Sequence, residues 1–222
     1  MGHWLDIELD TPSGAIAAWR ADPTGPSRGA LVVVQEIFGV NAHIRSVVDR
    51  FAQAGFVALA PALFDPIERG VQLDYDEPGV AKGRELTAAL GIERAVALVD
   101  AAADLLQLEG LRTGVVGFCW GGSIAFLANT RLGLPAVSYY GGRTLPLLDE
   151  PMRAPMLFHF GQHDPIITAD AVAAHRAKQP AARIHVYPAG HGFNCEARRD
   201  FDPGSAVLAW QRTTAFLDEV LA

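Results

Sequence analysis

Continuous short apolar runs constrain this chain more than any other feature. They are Ala30-Leu31-Val32-Val33-Val34, Phe56-Val57-Ala58-Leu59-Ala60, Thr113 to Phe118, Ala136 to Tyr140 and Met156 to Phe160. A strand without polar alternation is covered on both faces, as in a parallel sheet between helices. The segments between the runs read as helices. Asn41 caps one whose apolar residues, Ile44, Val47, Val48, Phe51 and Ala52, fall on one stripe, and Gly55 ends it. Helical patterns follow from about Arg84 to Leu108 with a break at Gly91, from Gly121 to Thr130, and from Asp170 to Lys178. A last helix opens at Asp202-Pro203 with the stripe Val207, Trp210, Thr214, Leu217 and Leu221. Trp4 to Leu9 and Ala15 to Trp19 read as a hairpin around Pro12-Ser13-Gly14, and Ile184 to Tyr187 as the final strand. The polar stretch from Asp65 to about Gly83 reads as an irregular surface excursion near the site. The expectation is one α/β domain over residues 1–222. Its eight-stranded, mostly parallel sheet carries helices on both faces and no large cap domain.

Charge narrows the partners. The net charge is −7 and no basic run occurs, which disfavours nucleic acid and anionic membranes. No apolar run is long enough to span a bilayer, and Met1-Gly2-His3-Trp4-Leu5-Asp6 lacks a signal pattern. Two cysteines, Cys119 and Cys195, make no disulfide framework. A cytoplasmic protein with reduced thiols is the natural expectation.

In sheets of this kind ligands bind beyond the carboxyl ends of the strands. Three chemically apt residues stand there. Cys119 sits in Gly117-Phe118-Cys119-Trp120-Gly121-Gly122, a glycine-flanked turn between a strand and a helix. This is the pattern of a nucleophile elbow with sulfur in place of a hydroxyl. The following helix N-terminus favours a thiolate. Asp164 follows the seventh strand in Gly161-Gln162-His163-Asp164, and His191 the eighth in Gly190-His191-Gly192. Nucleophile, acid, histidine is the chain order of α/β-hydrolases. The histidine takes the thiol proton, and the acid orients the imidazole. His163, Asp170, Asp202 and Glu196 are rivals; Asp170 and Asp202 read as helix-start residues, and His159 as a core histidine. An oxyanion hole needs the Trp120 N–H and a second amide from the loop after the third strand, Gln35-Glu36-Ile37-Phe38-Gly39. Ile37 is the candidate. Glu36, an acid at the end of a buried strand, is expected beside the thiol. The histidines form no ligand-spaced cluster, so neither metal nor cofactor is expected.

At these residues, together with Tyr139-Tyr140-Gly141-Gly142 and His191-Gly192-Phe193-Asn194-Cys195, the chain resembles the dienelactone hydrolase (carboxymethylenebutenolidase) family over nearly its whole length. The resemblance implies an α/β-hydrolase core, a Cys-His-Asp triad of Cys119, His191 and Asp164, and a gating role for Glu36. The carboxyl group would hold the resting thiol until substrate frees it to ionise toward the histidine. It also implies two arginines that grip a substrate carboxylate. One position is Cys195 here; the other falls near Lys82 or Arg84, and Arg198 could substitute. Phe38 and Tyr140 are further pocket candidates. The expected activity is cofactor-independent hydrolysis of a small ester or lactone by a monomer or small homo-oligomer. Two other readings keep the same residues: a thioesterase or acyltransferase, and a non-catalytic ligand or redox sensor using Cys119.

Overall fold

The computed structural model describes residues 2–9 and 14–221. Pro12 and Ser13 of the expected hairpin turn lie outside them. The expected eight-stranded, mostly parallel sheet is present. The chain divides after Gly114 into two compact units, the second running Val115–Val220, and each has its own order.

In the first unit β1 (His3–Glu8), β2 (Ala15–Ala21), β3 (Ala30–Val34) and β4 (Val57–Pro61) lie in the order β1-β2-β4-β3. Only the β3–β4 pair is parallel. Every residue of β3 and β4 is buried, as their unbroken apolar character requires. Helix α1 (Ala42–Gln53) starts where Asn41 Oδ1 accepts the Ile44 amide at 3.2 Å, and all five stripe residues are buried. Gly55, at φ +97°, turns the chain back toward β4.

The excursion after β4 is less irregular than its composition suggests. Helix α2 runs Glu77–Leu90, so it begins well before Arg84, and α3 follows as Ile92–Leu108. Asp76 Oδ1 caps α2 by accepting the Gly79 amide at 2.8 Å, and Pro78 sits in the first turn. Two glycines hide the helical pattern. Gly83 is needed bare because a Cβ there would strike the Ile37 carbonyl oxygen. The excursion is also pinned: Leu73 N–H donates to the Phe38 carbonyl at 2.9 Å, and Gln72 bridges to Gly39.

The second unit carries the parallel set. Most of β5 (Thr113–Phe118) lies in it with β6 (Ala136–Tyr139), β7 (Met156–Gly161) and β8 (Arg183–Tyr187), in the order β5-β6-β7-β8. Helix α4 (Trp120–Leu127) continues into a π turn, Ala128–Leu132; α5 is Ala169–Lys178 and α6 Pro203–Leu221. The buried face of α6 differs from the expected stripe. Leu217 and Leu221 of the stripe are buried, but Val207 is 58% exposed, and Ala209, Thr213 and Phe216 complete the buried face instead. The reason is polar: the Thr213 hydroxyl meets Tyr139 Oη at 2.7 Å and His159 Nε2 at 3.0 Å. A buried hydroxyl with two partners fixes the helix rotation, because turning it out would leave those partners unsatisfied at ~1–3 kcal/mol each. No helix among the described residues is long and apolar enough to cross a membrane.

Candidate active site

Four parallel strands end side by side in the second unit, and a chemically distinctive residue follows each. Cys119 follows β5, Tyr140 follows β6, Asp164 comes after β7 and His191 after β8. Cys119 has φ 53° and ψ −117°, a left-handed conformation that sharply redirects the chain into α4. Such a backbone costs ~1–3 kcal/mol and persists only where its surroundings enforce it. Here they do. A Cβ on Gly117 would collide with the Gly121 carbonyl, and one on Gly122 would lie 2.7 Å from the Tyr139 carbonyl oxygen. The elbow closes because those positions carry no side chain.

Three side chains form a line. His191 Nε2 lies 3.1 Å from Cys119 Sγ, and its Nδ1 lies 2.7 Å from Asp164 Oδ2. The Asp164 contact sets the tautomer with Nδ1 as donor, so Nε2 faces the sulfur. Asp164 is itself fixed, its Oδ1 accepting the amides of Ile166 at 2.8 Å and Ile167 at 3.2 Å. Burial opposes charge on His191, but the hydrogen bonds to Asp164 and then Cys119 outweigh it, and the imidazole is pushed up to about 10. Cys119 is only partly buried, whereas His191 and Asp164 are 4% and 5% exposed. One member of the line can thus meet a solute while the other two stay shielded.

The rivals fall elsewhere. His163 and Glu196 are exposed, Asp170 lies in the first turn of α5, and Asp202 caps α6 through the Ser205 amide at 2.7 Å. His159 is a core residue: Nδ1 meets Tyr187 Oη at 2.8 Å, and burial, with His185 and Arg212 nearby, holds it well below the usual histidine range. Trp120 supplies the first amide of α4, where helix N–H groups lack intrahelical partners. Cys195 is fully buried. Arg198 is half-buried and folds over Gly192, whose added Cβ would lie 2.6 Å from the guanidinium carbon.

In the first unit Glu36 is fully buried at the end of β3. Its Oε2 accepts the Tyr75 hydroxyl at 2.9 Å, and Tyr75 Oη in turn accepts Asn41 Nδ2 at 3.2 Å. Phe38 packs against Tyr75 with ring centroids 4.5 Å apart and planes tilted by 55°. Tyr75 was not a sequence candidate. Its only signal is its place just before the α2 cap, which could be recognised only once that helix start was known. The two basic candidates differ. Lys82 is engaged by Glu68 at 2.9 Å and Glu85 at 3.3 Å. Arg84 instead lines an open depression of about 510 Å³ with Tyr75, Asp76 and Val80. Ile37, partly exposed, stands in the turn between Glu36 and Phe38.

Comparison with known proteins agrees across the chain. The model of the dienelactone hydrolase family matches residues 16–221. Carboxymethylenebutenolidase 1 of Cupriavidus pinatubonensis (strain JMP 134 / LMG 1197) is 30% identical over 95% of each chain. The carboxymethylenebutenolidase of Pseudomonas sp. (strain P51) is 31% identical over 95% of this chain and 93% of that one. Among solved structures, a provisionally assigned dienelactone hydrolase from Klebsiella pneumoniae subsp. pneumoniae MGH 78578 superposes with a TM-score of 0.83, at 30% identity and 98% coverage of both chains. The Anabaena variabilis ATCC 29413 dienelactone hydrolase, at 17% identity, has the same fold with a TM-score of 0.74, covering 100% of this chain and 99% of that one.

Proposed function

Because the chain belongs to the dienelactone hydrolase family, with its α/β-hydrolase fold and its hydrolysis of ester or lactone bonds, we propose that it works through a Cys119–His191–Asp164 triad and a thioester. The observation that carries this reading is the unbroken line from sulfur to imidazole to carboxyl, at 3.1 and 2.7 Å.

The sulfur attacks the substrate carbonyl as a thiolate, its proton resting on His191. Charge develops on the carbonyl oxygen, and the amides of Trp120 and Ile37 are the proposed donors to it. Collapse breaks the ester C–O bond, and His191 passes its proton to the leaving alkoxide. The neutral imidazole then draws a proton from water as water attacks the thioester carbonyl. The acid departs and the proton returns to the Cys119–His191 pair. Protein groups and water supply every proton and electron pair in this cycle.

Glu36 keeps its proposed role as the gate on the nucleophile. Phe38, Arg84, Cys195 and Arg198 are the proposed substrate neighbours. Arg84 is favoured over Lys82 for an anionic group, because Lys82 is already held by two carboxyl groups. We read the whole chain as one cytoplasmic hydrolase domain, working as a monomer or small homo-oligomer.

The test is to quench turnover of an activated aryl acetate with acid and map the acetyl group by mass spectrometry. The expected result is an acetylated Cys119 peptide that decays on return to neutral buffer. Turnover with no label on Cys119 overturns the triad; a reversible sulfenic acid on Cys119 without any turnover supports the sensor reading instead.

A further inference from the structure

Among the described residues only two non-glycine positions have left-handed backbone: Cys119, at φ 53°, and Tyr140, at φ 41°. The first is the elbow. The second holds a bulky aromatic residue in a conformation that costs ~1–3 kcal/mol, so something must enforce it. Tyr140 N–H donates to the His159 carbonyl at 2.8 Å, carrying the β6–β7 pairing one residue past the end of β6. The next residue must then turn tightly over the start of α4. A Cβ on Gly141 would lie 2.8 Å from the Gly122 carbonyl carbon and 2.9 Å from the Ser123 nitrogen. Between these two constraints the Tyr140 ring is driven inward. It is fully buried, with its centroid 5.2 Å from the His191 ring and 5.4 Å from Phe193, edge-on at 74°.

His191 needs such a neighbour. Its two hydrogen bonds leave from opposite sides of the ring, through Nδ1 and Nε2. Both lie in the ring plane, so they fix where the nitrogens point but only weakly resist a roll about the axis joining them. A contact on the ring face sets that roll. Tyr140 packs against the imidazole with its plane tilted by 59°, and Phe193 packs edge-on against Tyr140 in turn. Among the described residues of this unit, the titratable and charged groups beside His191 or its flanking glycines include Asp164, Cys119, Arg198 over Gly192 and Asp200 against Gly190.

We propose that Tyr140 is a positioning residue, whose ring, held by strained backbone, keeps the His191 imidazole in line between Asp164 and Cys119. The proposal rests on the triad reading above. It makes the second strained residue of the chain the structural partner of the first: one aims the nucleophile and the other aims its base.

The test follows the time profile of Cys119 alkylation by iodoacetamide at neutral pH, read on the Cys119 peptide by mass spectrometry, beside kcat and KM on an aryl ester. In the native protein Cys119 should alkylate faster than it does in the unfolded chain. Tyr140→Leu should slow that alkylation about tenfold, toward the rate of the unfolded chain. It should also lower kcat ten- to a hundredfold with KM unchanged, as small misplacement of a reacting group does. Tyr140→Phe, which keeps the ring, should stay within about twofold. If Tyr140→Leu does not fold by circular dichroism, Tyr140→Gly relieves the backbone strain while still removing the ring, and the same outcome is expected. A folded Leu or Gly variant with the native alkylation profile, or with a change in KM alone, overturns the proposal. A native protein whose Cys119 alkylates like a free thiol overturns the triad reading instead.

Discussion

The two units carry their candidate residues in different ways. In the second, Cys119, Tyr140, Asp164 and His191 follow the ends of adjacent parallel strands, and their geometry is enforced by backbone strain and by hydrogen bonds at both imidazole nitrogens. In the first, Glu36 and Ile37 also follow a buried strand, but what they meet arrives from far along the chain: Tyr75 reaches Glu36 across 39 positions. A site built on strand ends is rigid because the sheet is rigid. One completed by an excursion depends on how well that excursion is pinned, here by the Leu73–Phe38 hydrogen bond and the bare face of Gly83. The strand-end residues of the second unit should therefore show the larger mutational effects, and side chains carried by the excursion of the first, such as Tyr75 and Arg84, the smaller.

Replacing the nucleophile tests the first half of that contrast most severely. Cys119→Ala should lower kcat on an activated aryl ester by about 10,000-fold or more while the melting temperature holds, since removing one member of a triad removes the function of all three. Asp164→Asn should come next, at ~1,000- to 10,000-fold, because the amide no longer enforces the tautomer that presents Nε2 to the sulfur. Substantial turnover by either variant would mean that the line at 3.1 and 2.7 Å is structural only.

Effects in the first unit should be smaller. Tyr75→Phe deletes the hydroxyl that holds Glu36, and a single hydrogen bond to a buried acid corresponds to a loss of roughly tenfold in kcat/KM. A loss as large as that of Asp164→Asn would break the proposed division of labour. Arg84→Ala and Lys82→Ala then separate the two cations. The first should raise KM about fivefold for esters bearing a carboxylate and leave neutral esters unchanged, the scale of one exposed charge contact. The second should do neither, because Lys82 is already tied to Glu68 and Glu85. The reverse ranking would move the anion-binding role to Lys82.

Legibility in the sequence follows the same divide, for a physical reason. Strands covered on both faces need unbroken apolar runs, and an elbow needs glycines where chains touch, so β3 to β7, Cys119, Asp164 and His191 could all be located from residue types alone. The start of α2 could not. Gly79 and Gly83 are poor helix formers, kept because the Asp74 and Ile37 carbonyls pass where their side chains would be. Tyr75 was lost with it, since no local pattern tells a tyrosine that reaches a buried acid from one that faces water. The face of α6 was legible at Leu217 and Leu221 but misjudged in its first half for a similar reason. Thr213 and Ala209 are buried there, and neither registers as a strong apolar position, while the exposed Val207 does.

That buried polar face leads to the smallest expected effect. His159 lies fully buried between Tyr187 and Thr213, and burial holds its pKa well below 6.5. Its folded form stays neutral where the unfolded chain would take up a proton. The stabilisation is therefore complete above about pH 6.5 and is lost as pH falls toward the depressed folded value. Thermal melts should show the native protein losing a few degrees for each ~1 kcal/mol forfeited as the buffer becomes acidic. His159→Gln, which keeps polar contacts but does not titrate, should flatten that slope even if its neutral-pH melting temperature is lower. Hydrogen exchange then assigns the weakness to a region. In acid, β6, β7 and α6, which surround His159, should lose protection before β3 and β4 do, because the fully buried His159 lies in the second unit. Earlier opening of β3 and β4 would place the acid-sensitive element in the first unit, and the half that holds Cys119, Asp164 and His191 would then be the more robust one in acid as well.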